Sequence, residues 1–149
     1  METDYDALRE ALVAGPCYVI DFLPRQVPAS GGGQYFAVED YFARKKQLRK
    51  LYRRFAALLL KLNCYYDMVV GGEEEWTADL PPEEIAEQVV ACAKGGYIHL
   101  LLPSERALIA LDGGDLHMTV WSASKALLGD LKILARGEGI WLWQPGQEE

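Results

Sequence analysis

Histidine and cysteine, two residue types common at catalytic and metal centres, are scarce in this sequence, which has two histidines and three cysteines. Cys17, Cys64 and Cys92 are far apart, form no CxxC pair and lie among apolar residues. This pattern predicts buried structural thiols in a reducing compartment, and it argues against a disulfide framework. The sequence therefore predicts no metal site.

Long apolar runs are also missing. Glu2, Asp4 and Asp6 stand near the start, where a secretory signal would carry basic residues followed by an apolar run. No apolar stretch approaches the ~20 residues that span a membrane. We therefore expect a cytoplasmic protein with no membrane partner.

Positive charge is scarce outside one segment. Eight of the fifteen Lys and Arg residues fall between Arg44 and Lys61, in a chain with a net charge of −7. The other seven bases face all twenty-two acids. Such an asymmetry indicates a surface that attracts a partner and names no reaction.

The distribution of helix caps, turns and apolar residues predicts one α+β domain that spans residues 1–149. The predicted helices cover about 4–14, 34–62 and 81–94, and the third is expected to have Asp79 as its cap. A fourth helix, capped by Ser122 or Ser124, is predicted to run through Arg136. The predicted strands cover about 17–23, 68–70, 97–102, 107–111, 116–121 and 140–143. Because short turn-rich links join the strands between 97 and 121, we predict a mostly antiparallel sheet with a three-strand meander, packed against about four helices.

The predicted long helix, about 34–62, is amphipathic. Its expected apolar stripe consists of Tyr41, Leu48, Leu51, Tyr52, Phe55, Leu58, Leu59 and Leu62. The opposite side, which we call the cationic stripe, consists of Lys46, Arg49, Lys50, Arg53, Arg54 and Lys61.

Three interpretations of the cationic stripe remain open. It is the solvated side of a helix, a docking surface for an acidic partner, or a nucleic-acid site. Nucleic acid is disfavoured, because the net charge is negative and the aromatic residues of the helix lie mainly on its apolar stripe. The acidic loop Glu73–Glu75 is a further candidate to meet the stripe, within one chain or in a symmetric dimer.

The meander pattern places both histidines on one sheet face. If Leu111 pairs with Leu116, then His99 and His117 flank Ala110. That face carries no Cys, Asp or Glu, so a metal would lack a third ligand there. We interpret the histidines as hydrogen-bonded sheet residues, with an acid–base site as the alternative. The opposite face is the predicted core: Ile98, Leu100, Leu102, Ile109, Leu111, Leu116, Met118 and Val120.

Two weaker features concern possible ligands. Asp21 lies in an otherwise apolar strand, where a carboxylate is costly unless it is paired, so Asp21 is a third catalytic candidate beside His99 and His117. The run Ser30–Gly33 precedes a helix but lacks the Lys and Ser or Thr of a phosphate loop. We interpret it as a connector and predict no cofactor.

These patterns favour a non-catalytic interaction or regulatory module that acts on a protein partner or on a second copy of itself. Immunity and antitoxin proteins have a similar composition, which is an analogy of class alone. The alternatives are a small enzyme with its site on the His99 and His117 face, and a nucleic-acid binder that uses the cationic stripe.

Overall fold

The computed structural model describes residues 4–29, 33–72 and 75–146. In these ranges the α-helices are α1 (Tyr5–Leu12), α2 (Tyr35–Phe42), α3 (Lys45–Asn63), α4 (Pro82–Ala91) and α5 (Lys125–Gly137). The strands are β1 (Cys17–Asp21), β2 (Val69–Gly71), β3 (Thr77–Ala78), β4 (Tyr97–Leu102), β5 (Ala107–Asp112), β6 (His117–Trp121) and β7 (Trp141–Trp143).

The strands form one antiparallel sheet in the order β3-β2-β4-β5-β6-β1-β7. The predicted α+β class is confirmed. The predicted meander is present as β4, β5 and β6, and the sheet extends beyond it on both sides. The first strand inserts between β6 and β7, so residues from both ends of the chain meet in the same half of the sheet.

Helices cover both faces of the sheet. One face packs against α3, α4 and α5, and its buried residues include the whole predicted core face of the meander. The other face packs against α1 through Leu12, Leu101 and Leu108, with Trp76 and Trp121 at the margin. The sheet is therefore a middle layer, which explains why its central strands carry few charged residues.

The predicted long helix is wrong in one respect: it is two helices. Arg44 adopts an extended conformation, with φ −65° and ψ 142°, between α2 and α3. The break turns α2 toward the end of β1, where the Phe42 ring packs against Phe22 with centroids 5.1 Å apart. Tyr41, expected on the apolar stripe, is 43% exposed, and its ring contacts the Arg44 guanidinium.

The cap of α4 also differs from the prediction. Helix α4 begins at Pro82, so Pro81 occupies the capping position and makes no side-chain cap bond. Asp79 lies two residues earlier with φ 57°, in the turn that follows β3. Proline at the first helical position suits a helix start, because its missing N–H would have no helical partner there.

The register between β5 and β6 is shifted by two residues from the predicted one. Ala110 lies opposite Thr119, where a pairing of Leu111 with Leu116 would have placed it opposite His117. A shift of two keeps every side chain on its face, so the predicted core face survives. The predicted arrangement of His99 and His117 on either side of Ala110 is lost.

None of the helices that the structure describes combines the length and the apolar character needed to cross a membrane.

Candidate functional site

The two histidines do not form the predicted pair. His99 faces Ala110 in the β4–β5 ladder, and Thr119 follows on the next strand. The Nδ1 atom of His99 lies 3.4 Å from a guanidinium nitrogen of Arg9 on α1. Burial and the charge of Arg9 lower the pKa of His99. This histidine is part of the contact between α1 and the sheet.

His117 instead meets the third catalytic candidate. In the β1–β6 ladder His117 lies directly opposite Asp21, and on the other side of Asp21 lies Trp141 of β7. Asp21 is the last residue of β1 and His117 is the first residue of β6, so the two lie at the same end of the sheet. The fold therefore brings together a carboxylate and an imidazole that are 96 positions apart in the sequence (117 − 21).

The Asp21 carboxyl group is in an unfavourable environment for its charge. Asp21 is 9% exposed and is the one polar residue in the buried set of the described ranges. Burial raises the pKa of Asp21 from 3.8 to about 6, although the backbone N–H of Phe22, the charge of His117 and hydrogen bonds from the Leu23 backbone and the Trp143 side chain act in the opposite direction. Its protonation therefore changes close to physiological pH.

Asp21 lines a cleft of about 670 Å³ between the end of the sheet and α2. We call this the Asp21 cleft. A smaller cavity of about 320 Å³ adjoins it and shares Asp21, Gln26, Tyr35, Phe36 and Trp143 with it. The larger volume is in the range of small-molecule sites.

Hydrogen bonds hold the walls of the Asp21 cleft. On α2, the Tyr35 hydroxyl donates to Glu39 Oε2 at 2.7 Å, and this bond is the main reason that the pKa of Tyr35 rises to about 12. On the opposite wall, the Trp143 indole donates to the Leu23 carbonyl at 3.0 Å. The amide N–H of Gly146 donates to the Gln26 side chain at 2.9 Å, which ties the last described residues to the loop after β1.

A third wall comes from the turn between β5 and β6. The buried Tyr52 hydroxyl of α3 donates to the Asp115 carbonyl at 2.7 Å and accepts from the Gly114 N–H at 3.0 Å. Burial raises the pKa of Asp115, and the charge of His117 partly opposes the rise. The core side of α3 thus fixes a turn whose other side lines the Asp21 cleft.

The lining of the Asp21 cleft is acidic and aromatic. Among the residues that the structure describes there, the lining includes no Lys or Arg, and His117 is its one basic side chain. The acidic lining residues are Asp21, Glu39, Asp40 and Asp115. The aromatic lining residues include Tyr35, Trp143 and Phe36, and Phe36 is 81% exposed. Such a surface attracts positive charge, and its rings can contact a cation face-on.

No group of three or more His, Cys, Asp and Glu side chains within the described ranges is arranged to hold a metal ion.

The cationic stripe lies on the solvent side of α3. All six of its residues are exposed, and the apolar residues opposite them, from Leu48 to Leu62, are buried in the core. Lys61 forms an ion pair with Glu138, the residue that follows α5. Lys46, Arg49, Lys50 and Arg53 form no ion pair with any residue that the structure describes.

The acidic loop 73–75 is only partly described. Glu73 and Glu74 lie outside the described residues, whereas Glu75 is exposed and forms no ion pair with the described part of α3. In the run Ser30–Gly33, Gly33 alone is described, and it lines the smaller cavity. The expectation of three buried thiols is wrong for Cys64, which is exposed one residue beyond the end of α3.

Sequence reasoning identified Asp21 and His117 one at a time and missed their partners. Tyr35, Glu39 and Asp115 were not singled out. The four-residue spacing of Tyr35 and Glu39 on a helix was a usable signal, because it places a hydroxyl next to a carboxylate. The alternation of Trp141 and Trp143 in the last strand indicated an aromatic face but not its place beside Asp21. Asp115 carried no local signal.

Comparisons with models of protein families, with curated proteins and with solved structures found no match to this chain.

Proposed function

We propose that the protein binds a small organic cation in the Asp21 cleft, with the Asp21 carboxylate as its anionic anchor. The observation that carries this proposal is a buried aspartate, 9% exposed as a residue, that lines the cleft opposite His117. Strongly perturbed groups that sit in a cleft are typical of functional sites.

Energetics support a functional role for this carboxylate. Because burial raises its pKa, the ionised form of Asp21 is disfavoured in the folded protein. An uncharged residue of similar shape would avoid that cost. A bound cation would compensate it, because a hydrogen bond to a charged group contributes about 1.5–3 kcal/mol.

The lining defines the ligand class. Four acidic side chains and the rings of Tyr35, Phe36 and Trp143 suit a primary amine, a guanidine or a quaternary ammonium group on a compact apolar body. The large exposed fraction of Phe36 makes its ring available to the ligand at the mouth of the cleft.

The pairing of Asp21 with His117 also favours a second candidate function, acid–base catalysis on the bound ligand. A carboxyl group with a pKa of about 6 exists in both protonation states near neutral pH, which is what proton transfer requires. This revises the predicted enzyme site: Asp21 replaces His99 as the partner of His117.

Binding is tested by isothermal titration calorimetry with amines, guanidines and quaternary ammonium compounds, and with carboxylates of matched size as controls. We expect cations to bind and carboxylates not to bind. Asp21→Asn should weaken binding at least about tenfold at pH 7.5, a loss that matches a charged hydrogen bond. His99→Gln is the matched control, because His99 shares the sheet face but contacts Arg9 outside the cleft.

Affinity for the cations should rise from pH 5 to pH 7 as Asp21 ionises. The other titratable groups that line the cleft near Asp21 include His117, Tyr35, Glu39 and Asp115. The proposal fails if no cation binds, if carboxylates bind equally well, or if Asp21→Asn binds as tightly as the unaltered protein. The catalytic candidate is tested by mass spectrometry of the bound compounds after incubation: a product that forms with the unaltered protein and not with His117→Gln supports it, and unchanged compounds exclude it for that panel.

A further inference from the structure

A second concave surface lies on the opposite side of the sheet from α1, between the start of α3 and the end of α4. It has a volume of about 430 Å³. Its base is formed by Ala86, Val90 and Ala93, which are half-buried against the core. We call it the α3–α4 groove. Small side chains at its base let a backbone approach closely.

Positive charge borders the α3–α4 groove. Lys45, Arg49 and Lys94 line it together with one acid, Glu87, and none of the four forms an ion pair with a described residue. Members of the cationic stripe continue from there along the exposed side of α3. One surface of this protein, whose net charge is −7, thus combines an apolar groove with positively charged side chains that form no ion pair among the described residues.

Charge complementarity indicates which kind of partner binds in the α3–α4 groove. The cations favour carboxylates, and the alanine and valine base favours apolar side chains that project from the same segment. Nucleic acid fits less well, because the described lining of the α3–α4 groove includes no aromatic side chain on which a base could stack.

We infer that the α3–α4 groove and the adjoining cationic stripe bind an acidic amphipathic segment of a protein partner. The apolar side of that segment packs on Ala86, Val90 and Ala93, and its carboxylates face Arg49, Lys94 and the exposed stripe. This surface is separate from the Asp21 cleft: the two share no lining residue. The inference is therefore independent of the proposed ligand.

The test uses two synthetic 18-residue peptides of identical composition, rich in Glu, Leu and Ala. One has its leucines at helical spacing, and the other has the same residues shuffled so that no apolar face forms. Binding to the full chain is followed by fluorescence anisotropy at low and high salt, and the contact surface is mapped by amide chemical shifts. We expect the amphipathic peptide to bind at least tenfold more tightly than the shuffled one, with shifts confined to α3 and α4.

Two variants and a matched control locate the contact. The double variant Arg49→Glu/Lys94→Glu should weaken binding at least tenfold, and Lys125→Glu/Lys132→Glu, two exposed lysines of α5, should change it less than twofold. Ala91→Trp adds bulk at an exposed position of the lining and should also weaken binding. Circular dichroism verifies that each variant is folded.

Other occupants are distinguishable outcomes. If a 20-nucleotide single-stranded RNA binds more tightly than the peptide and depends on the same cations, the partner is a nucleic acid and the inference is wrong. A dimer in sedimentation equilibrium that Arg49→Glu/Lys94→Glu dissociates would assign the surface to a second copy of the chain. Tighter peptide binding after Glu73, Glu74 and Glu75 are changed to Gln would assign it to this chain's own acidic loop. Equal binding of both peptides, or no effect of Ala91→Trp, would show that the groove has no role.

Discussion

Replacing Asp21 by Asn should stabilise the folded protein at pH 8 and leave its stability at pH 4 nearly unchanged. Asparagine keeps the shape of the side chain and removes the buried charge. In the folded protein burial raises the pKa of Asp21 from 3.8 to about 6. Between pH 3.8 and about pH 6 the folded state therefore binds more protons than the unfolded state. The free energy of unfolding falls as pH rises through this window and is level above it.

The size of the effect follows from the two pKa values. A difference of about two pH units corresponds to about 3 kcal/mol, since each unit is worth about 1.4 kcal/mol. Because the carboxylate borders an open cleft and water reduces the cost of its charge, we expect a gain of about 1–3 kcal/mol for Asp21→Asn at pH 8. The gain should shrink to nearly zero at pH 4, where the carboxyl group of the folded protein is already protonated.

The assay is guanidinium unfolding followed by circular dichroism at pH 4, 5, 6 and 8. Asp67→Asn is the control, because Asp67 is an exposed carboxylate in the loop between α3 and β2, and its change should stay within about 0.5 kcal/mol at every pH. A loss of stability in Asp21→Asn at pH 8, or a gain that does not depend on pH, would refute the reasoning. Asp21 would then be a satisfied structural group, with no cost of burial for a ligand to compensate.

Two further substitutions test the turn beside the Asp21 cleft. Tyr52→Phe removes the hydroxyl that bonds to the backbone around Asp115, so we expect a loss of about 1–3 kcal/mol in chemical denaturation and weaker cation binding; unchanged stability would contradict the role given to Tyr52. Gly113→Ala places a methyl group 2.7 Å from the Cys92 carbonyl oxygen and should destabilise by about 1–3 kcal/mol. Gly129→Ala on α5 meets open space and should stabilise slightly, so equal thermal midpoints for the two alanine variants would contradict this packing argument.

The core and the elements of the meander could be predicted because they depend on local patterns. Strand alternation alone identified Ile98, Leu100 and Val120 as buried on one face, and a register error of two residues did not change that result. The burial of Leu48 to Leu62 on α3 was equally readable, since the 3.6-residue period of that helix is unbroken.

The residues of the candidate site could be predicted singly from the sequence, but their pairing could not. A single carboxylate in an apolar strand signals a cost, but the sequence does not state which distant residue shares its environment. His117 was expected beside Ala110 because a hairpin of ideal register would put it there. The turn between β5 and β6 is centred one residue later in the chain than predicted, which moved the pairing of His117 by two residues, and the insertion of β1 next to β6 gave it Asp21 as its neighbour.

The break between α2 and α3 shows the same limit. No proline or glycine stands at Ala43 or Arg44, so no helix-breaking residue marks the break and the sequence predicts one helix. The packing of Phe42 on Phe22 contributes to the bend, and this contact joins positions twenty residues apart (42 − 22). Because α2 turns at that point, Tyr35 and Glu39 become a wall of the Asp21 cleft.

The sequence by itself determined the fold class, the core face of the meander and the cationic stripe, because each depends on the spacing of residues within one element. Only the tertiary structure decided that Asp21 faces His117, that α2 lines a cleft, and that the stripe adjoins an apolar groove on α4. Those features depend on strand order and on helix breaks, which are set by contacts between residues far apart in the chain.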